Sequence, residues 1–231
     1  MELLDDLLNM LFPVPCAACG NTLFKNENIL CLFCQFQLPQ TNFHNFRDNQ
    51  VEKVFWGRVP LNAVASLYYF RKGGKVQHLV HQFKYKNRKE IGIYLGKMYG
   101  NILLNSERFN TIEAILPVPL HTSKLKKRGY NQSEVFAQGL SESMNKPVDN
   151  KTLIRKNASE TQTRKTRFKR WENVKEIFSL ENSVIYQNKH ILLVDDVITT
   201  GATIEACVNE LNKTDGIKIS VASIACTASL N

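Results

Sequence analysis

The 231-residue chain is 43% hydrophobic and 22% charged, a balance that suits a packed core and excludes wholesale disorder. It contains no run of about 18 apolar residues, so no membrane insertion is expected. Lys and Arg number 30 against 21 Asp and Glu, and the resulting charge of +9 favours anionic partners such as nucleotides, pyrophosphate or nucleic acid without choosing among them.

At the start of the chain, Leu3, Leu4, Leu7, Leu8 and Leu11 recur at helical spacing and predict a short amphipathic helix that docks on the rest of the protein. Glu2, Asp5 and Asp6 stand where a secretory leader needs positive charge, so a cytoplasmic protein is the default expectation. Next come Cys16-x2-Cys19 and Cys31-x2-Cys34, with eleven residues between the pairs. Two such knuckles can bend four thiolates onto one tetrahedral ion, which predicts a structural Zn2+. A module of about 30 residues also needs a staple, because core burial alone does not hold it. Iron in the same cage, or redox-active cysteine pairs, are the alternatives. The stretch from Gln40 to Gly57 reads as a polar linker whose Phe43, Phe46, Phe55 and Trp56 dock the small module onto a larger one.

From Leu61 onward the pattern is α/β. Ala63 to Phe70 reads as a strand, and Val76, Leu79, Val80 and Phe83 give a helix. Ile91, Leu95, Met98 and Ile102 give a second helix, and Ile112 to Val118 is a buried strand closed by prolines. A helix is expected from about Asn131 to Met144, and a brief strand at Thr152 to Arg155. Lys151 to Lys175 then holds nine basic residues against Glu160 and Glu172, by default a solvated loop. Ile191 to Val194 is apolar without interruption, as in a strand covered on both faces. Ile204, Cys207, Val208 and Leu211 mark the following helix, and Ile217 to Cys226 a closing strand, with Cys207 and Cys226 as core residues. Strands alternating with helices predict a largely parallel sheet with ligands beyond its C-terminal strand ends.

The segment Ile191 to Thr203, ILLVDDVITTGAT, carries the chemistry. A buried strand ends in Asp195-Asp196, and Thr199, Thr200, Gly201, Ala202 and Thr203 open a helix. Free amides at a helix start favour an anion, Gly201 lets the backbone approach it, and threonine hydroxyls add donors. The two carboxylates suit the hydroxyls at the other end of a sugar phosphate. Together they describe a ribose 5-phosphate cradle. Asp195 to Thr203 resembles the signature with which type I phosphoribosyltransferases bind 5-phosphoribosyl 1-pyrophosphate (PRPP).

Two further stretches resemble the ComF-type competence branch of that superfamily. One is Pro117-Val118-Pro119-Leu120-His121 with Lys127-Arg128-Gly129-Tyr130-Asn131-Gln132; the other runs from Arg155 through Gln162 to Arg170, Asn173 and Phe178. The four-cysteine module is also characteristic of the branch. The resemblance implies a type I phosphoribosyltransferase fold over 58–231, behind a helix and zinc module in 1–50. It implies that Pro117, Val118 and Pro119 form a pyrophosphate loop, and that Arg128 and a Gln162–Arg170 lid close over PRPP and its Mg2+. Asp195, Asp196 and Arg170 would then carry catalysis, Arg170 by neutralising departing pyrophosphate. A surface cation is an equal reading of Arg128, and His121 reads as a turn residue. Three functions compete: a transferase with an unspecified acceptor, a PRPP-binding regulator without turnover, and an accessory factor for single-stranded DNA or DNA-uptake proteins. Homodimerisation is left open.

Overall fold

A computed structural model describes residues 13–156 and 177–227. The docking helix expected at the N-terminus, the Gln162–Arg170 lid and Arg170 itself lie outside the described residues.

The centre is a four-stranded sheet in which every pairing is parallel. Its strands are β1 (Ala63–Phe70), β2 (Ala114–Pro117), β5 (His190–Ile198) and β6 (Lys218–Thr227), in the order β1-β6-β5-β2. Two short strands, β3 (Leu153–Arg155) and β4 (Phe178–Leu180), make a separate antiparallel pair. The apolar run Ile191 to Val194 is fully buried, as a strand flanked on both edges and both faces must be. Each such side chain contributes on the order of 2 kcal/mol by leaving water.

The helices expected from periodicity are α3 (Lys75–Tyr85), α4 (Lys89–Leu104), α6 (Gln132–Met144) and α7 (Ala202–Leu211), following two short ones, α1 (Leu32–Gln37) and α2 (Gln50–Lys53). The basic cluster around Lys124 forms a further helix, α5 (Thr122–Arg128), which periodicity had not indicated. Capping explains it. His121 accepts from the Ser123 amide at the start, Gly129 ends it at φ 80°, and Lys126, Lys127 and Arg128 sit in the last turn, where the helix dipole favours cations.

The stretch from Gln40 to Gly57 runs along the free edge of β1. Tyr69 N–H donates to Pro39, Thr41 N–H to Leu67, and the Glu52 carboxylate accepts from Val64 N–H at 3.0 Å while pairing with Arg108. Covering an edge strand in this way removes a site for unwanted pairing. Phe43 and Phe55 are buried as docking residues, whereas Phe46 and Trp56 face solvent. One continuous core includes Leu30 and Cys34 of the small module together with the sheet.

Helices α4 and α6 touch through their backbones. A Cβ added at Gly96 would come within 2.7 Å of the Gly139 Cα, so neither position has room for a side chain. Gly96→Ala is expected to destabilise the protein by about 1–3 kcal/mol through overpacking, read as a lower urea midpoint at unchanged slope.

Candidate functional site

The crevice arises from unequal strand lengths. β2 stops at Pro117, opposite Val194, and Val118 N–H still donates to Val194 at 2.8 Å. Pro119 follows at once and cannot donate. On its other edge β5 continues against β6, pairing Asp195 with Ser223 and Ile198 with Cys226. The strand therefore runs past the two acids rather than ending at them, as the sequence pattern had suggested. Beyond Val194, β5 loses its β2 neighbour, and Asp195 and Asp196 border the opening. This is the place where open parallel sheets accept ligands.

A pocket of about 150 Å³ forms there, lined by Val118, Pro119, Arg128, Asp195, Asp196 and Thr203 among the anticipated residues. Lys84, Lys124, Ser133 and Arg155 also line it and had not been singled out as site residues. Pro117 is the buried last residue of β2, while Thr199 and Thr200 are exposed in the loop after β5, Gly201 is buried, and Ala202 is exposed as the first residue of α7.

The acids are held by named donors. Asp195 Oδ1 accepts from Ser133 Oγ at 3.0 Å and from the Asp196 amide at 2.8 Å. Desolvation, and then the neighbouring Asp196 charge, push the Asp195 carboxyl up to about 7. Asp196 Oδ2 pairs with Lys84 Nζ at 2.9 Å, and Arg128 Nη1 lies 4.0 Å from the same oxygen. Arg128 is held in place, donating to Gln132 Oε1 at 2.7 Å and lying over the Tyr85 ring at 5.4 Å. Its side chain is 11% exposed and lines the crevice, so it is not a solvated surface cation. Asn131 both caps α6 and donates to the Val118 carbonyl at 3.0 Å, which ties the proline loop to the helix. His121 caps α5 and does not line the crevice, as a turn residue should.

Helix α7 begins at Ala202 behind Gly201, which has no side chain to cap it; the Ala202 amide makes a long contact with Thr200 Oγ1 at 3.5 Å, and the next first-turn amides remain available to an anion. Its entry is braced from an unanticipated direction. Arg58 donates to the Thr200 carbonyl at 2.9 Å and pairs with Glu205, and the Phe55 ring packs against Gly201.

The four module cysteines bring their sulfurs together, all within 4.8 Å of one another, with Cys19 and Cys31 at 3.7 Å. Tetrahedral Zn–S bonds of about 2.3 Å require sulfurs about 3.8 Å apart, so the cage fits a single ion and is too open for disulfides. Burial raises the Cys31 and Cys34 thiols. At Cys16 burial is outweighed by backbone donors at Cys19, Cys31 and Ala18, which bring that thiol down to about 7. Four thiolates on one ion would leave it no open position. Cys207 and Cys226 are buried core residues.

A larger cleft of about 770 Å³ opens at the N-terminal strand ends, the opposite side from the acids. Its charges are mixed, and Glu52 and Arg108 already satisfy each other. Among the described residues no helix is long and apolar enough to cross a membrane.

Comparison with known proteins agrees with the geometry. The family described as "Phosphoribosyl transferase domain" matches residues 107–229. DNA utilization protein YhgH of Salmonella typhi is 35% identical over 129 residues, which span 54% of this chain and 56% of that protein. Over that alignment the chain spans only about half the length of its YhgH relatives. Competence protein F of Haemophilus influenzae is 28% identical over 215 residues, 87% of this chain and 90% of that protein. Among solved structures, the glutamine PRPP amidotransferase of B. subtilis gives a TM-score of 0.43 at 18% identity, covering 62% of this chain and 30% of that one. An adenine phosphoribosyltransferase gives 0.41 at 12%, covering 66% and 77%.

The Phe55 contact yields a paired test. Gly201 and Gly129 both have positive φ, 75° and 80°, but a Cβ at Gly201 would lie 2.7 Å from Phe55 whereas one at Gly129 meets nothing within 4 Å. Gly129→Ala is expected to cost about 1 kcal/mol from backbone strain alone, and Gly201→Ala about 1–3 kcal/mol more from overpacking. Chemical denaturation of the two variants measures the difference.

The parallel sheet, the open strand edge at Asp195-Asp196, the four-cysteine cluster and the match over residues 107–229 converge: this chain belongs to the phosphoribosyl transferase domain family, in its ComF-type branch.

Proposed function

We propose that the protein binds PRPP in the crevice at the end of β5 and transfers its 5-phosphoribosyl group to an acceptor, in support of DNA uptake or utilisation. The observation that carries this reading is the pairing of two acids with an uncapped helix start across one loop. The acids are acceptors for ribose hydroxyls, and the amides and hydroxyls from Thr199 to Thr203 are donors for a 5-phosphate. Four cations around two carboxylates leave a surplus of positive charge, which suits a bound diphosphate. The names of Competence protein F and YhgH support the DNA-related role.

In the reaction, the acceptor attacks C1 of the ribose as the bond from C1 to pyrophosphate breaks, and the electron pair leaves with pyrophosphate. Positive charge builds on the ring in the transition state. Asp195 and Asp196 hold the ring hydroxyls and oppose that charge, and Arg128, Lys84 and Lys124 receive the leaving anion. The loop from Thr199 to Thr203 orients the substrate by its phosphate. Mg2+, when bound, supplies further neutralisation of the pyrophosphate. The free oxygens of the adjacent carboxylates fit such an ion, since Asp195 Oδ2 and Asp196 Oδ1 have no partner among the described residues.

Calorimetric titration with PRPP and Mg2+ tests the site. Asp195→Ala with Asp196→Ala is expected to weaken binding by on the order of a hundredfold or more while the protein stays folded. Equal affinity in wild type and variant overturns the assignment. The sign of the pH dependence follows from Asp195. Its carboxyl is protonated below about 7 and accepts two hydroxyls only when ionised, so wild-type affinity rises between pH 6 and 8. Release of pyrophosphate with an acceptor separates a transferase from a silent sensor.

For the cysteine cluster we propose a structural Zn2+. Metal analysis is expected to find about one ion per chain, lost together with cooperative unfolding of the module in Cys31→Ser.

A further inference from the structure

Lys84 is one of the crevice residues that the sequence pattern gave no reason to single out. It sits on the last turn of α3, and its position is set by the preceding residue: the Phe83 ring is buried, lies 5.8 Å from the Tyr130 ring, and the Phe83 carbonyl accepts from the Tyr130 hydroxyl. This fixes the backbone beneath Lys84. The ammonium then reaches Asp196 Oδ2 at 2.9 Å, with only 17% of its side chain exposed.

The two arginines of the crevice differ from it in how they are held, and Lys124 is exposed at its rim. Arg128 is locked between Gln132 and the Tyr85 face, and the Arg155 guanidinium stacks on Phe178 at 5.2 Å. Lys84 has a single partner among the described residues, Asp196, at the end of a flexible four-carbon stem. An ammonium 2.9 Å from a carboxylate oxygen takes the position that a divalent cation would need in order to use that oxygen. The two cannot share it at full occupancy, and the positive charge beside it also opposes a second cation on the neighbouring free oxygens, Asp195 Oδ2 and Asp196 Oδ1. Unlike a metal, however, the ammonium can swing away without dissociating.

We propose that Lys84 is a resident counter-cation, which neutralises Asp196 in the ligand-free protein, keeps divalent cations off the acidic pair, and moves to the diphosphate when ligand arrives. Cation entry at Asp195-Asp196 thereby becomes conditional on the anion. Two adjacent carboxylates are otherwise a standing invitation to any hard cation. The identity of the anion rests on the PRPP reading above; the role of Lys84 towards cations does not.

The test uses full-length protein and Mn2+ alone, without PRPP, at about pH 8, with free Mn2+ followed by electron paramagnetic resonance. Wild type is expected to bind Mn2+ weakly at the crevice. Lys84→Met and Lys84→Gln are expected to bind it at least tenfold more tightly, and the gain is expected to vanish when Asp195→Asn and Asp196→Asn are added. Thermal melts accompany each variant, and the glutamine form retains a hydrogen-bond donor for Asp196. Unchanged Mn2+ affinity in folded variants overturns the proposal. So does failure of both variants to fold, because Lys84 would then be a fixed structural counter-ion. Failure of wild type to bind PRPP in the calorimetric experiment sinks the ribosyl reading and leaves the Mn2+ result standing.

Discussion

Two carboxylates on consecutive residues of a largely buried strand repel each other, and their charges are costly to keep out of water unless something opposes them. Much of the architecture around the end of β5 answers that requirement. Ser133 and a backbone amide steady Asp195, Lys84 and Arg128 face Asp196, and β2 stops short so that the pair borders an opening instead of a sealed interior. The residual strain shows in the Asp195 carboxyl, which holds its proton up to about 7. A core that needed only stability would use apolar residues here, as it does at the four preceding positions.

The same economy governs the residues around it. Tyr130, Asn131 and Gln132 follow one another, yet each fixes a different part. Tyr130 anchors the end of α3, Asn131 the proline loop, and Gln132 the Arg128 guanidinium. Three helices are thus registered on one crevice by three consecutive side chains. The close backbone contact of α4 with α6 keeps that register from drifting.

The sheet was legible in the sequence because its strands are apolar runs and its helices are periodic. The acids, the threonine loop and the cysteine pairs were legible because their spacing is local. Helix α5 was not, since it buries no side chain and depends on caps and end charges. The extension of β5 past the acids was hidden as well, because it is decided by how far β6 reaches, not by β5 itself. Lys84 lies more than a hundred residues from Asp196, and one lysine in an amphipathic helix carries no local mark of a partner that distant. Arg58 escaped for the same reason, and Phe55, expected only to dock the small module, carried no mark of its contact with Gly201.

That stretch has a further consequence. Phe55 and Arg58 stand in the chain between the cysteine cage and β1, and they press on the bend that leads into α7. The segment that follows the cage therefore bears directly on the start of α7. A chimera that exchanged the front of this protein for that of a cousin would need to carry the matching bend along with it, or the start of α7 would lose its backstop.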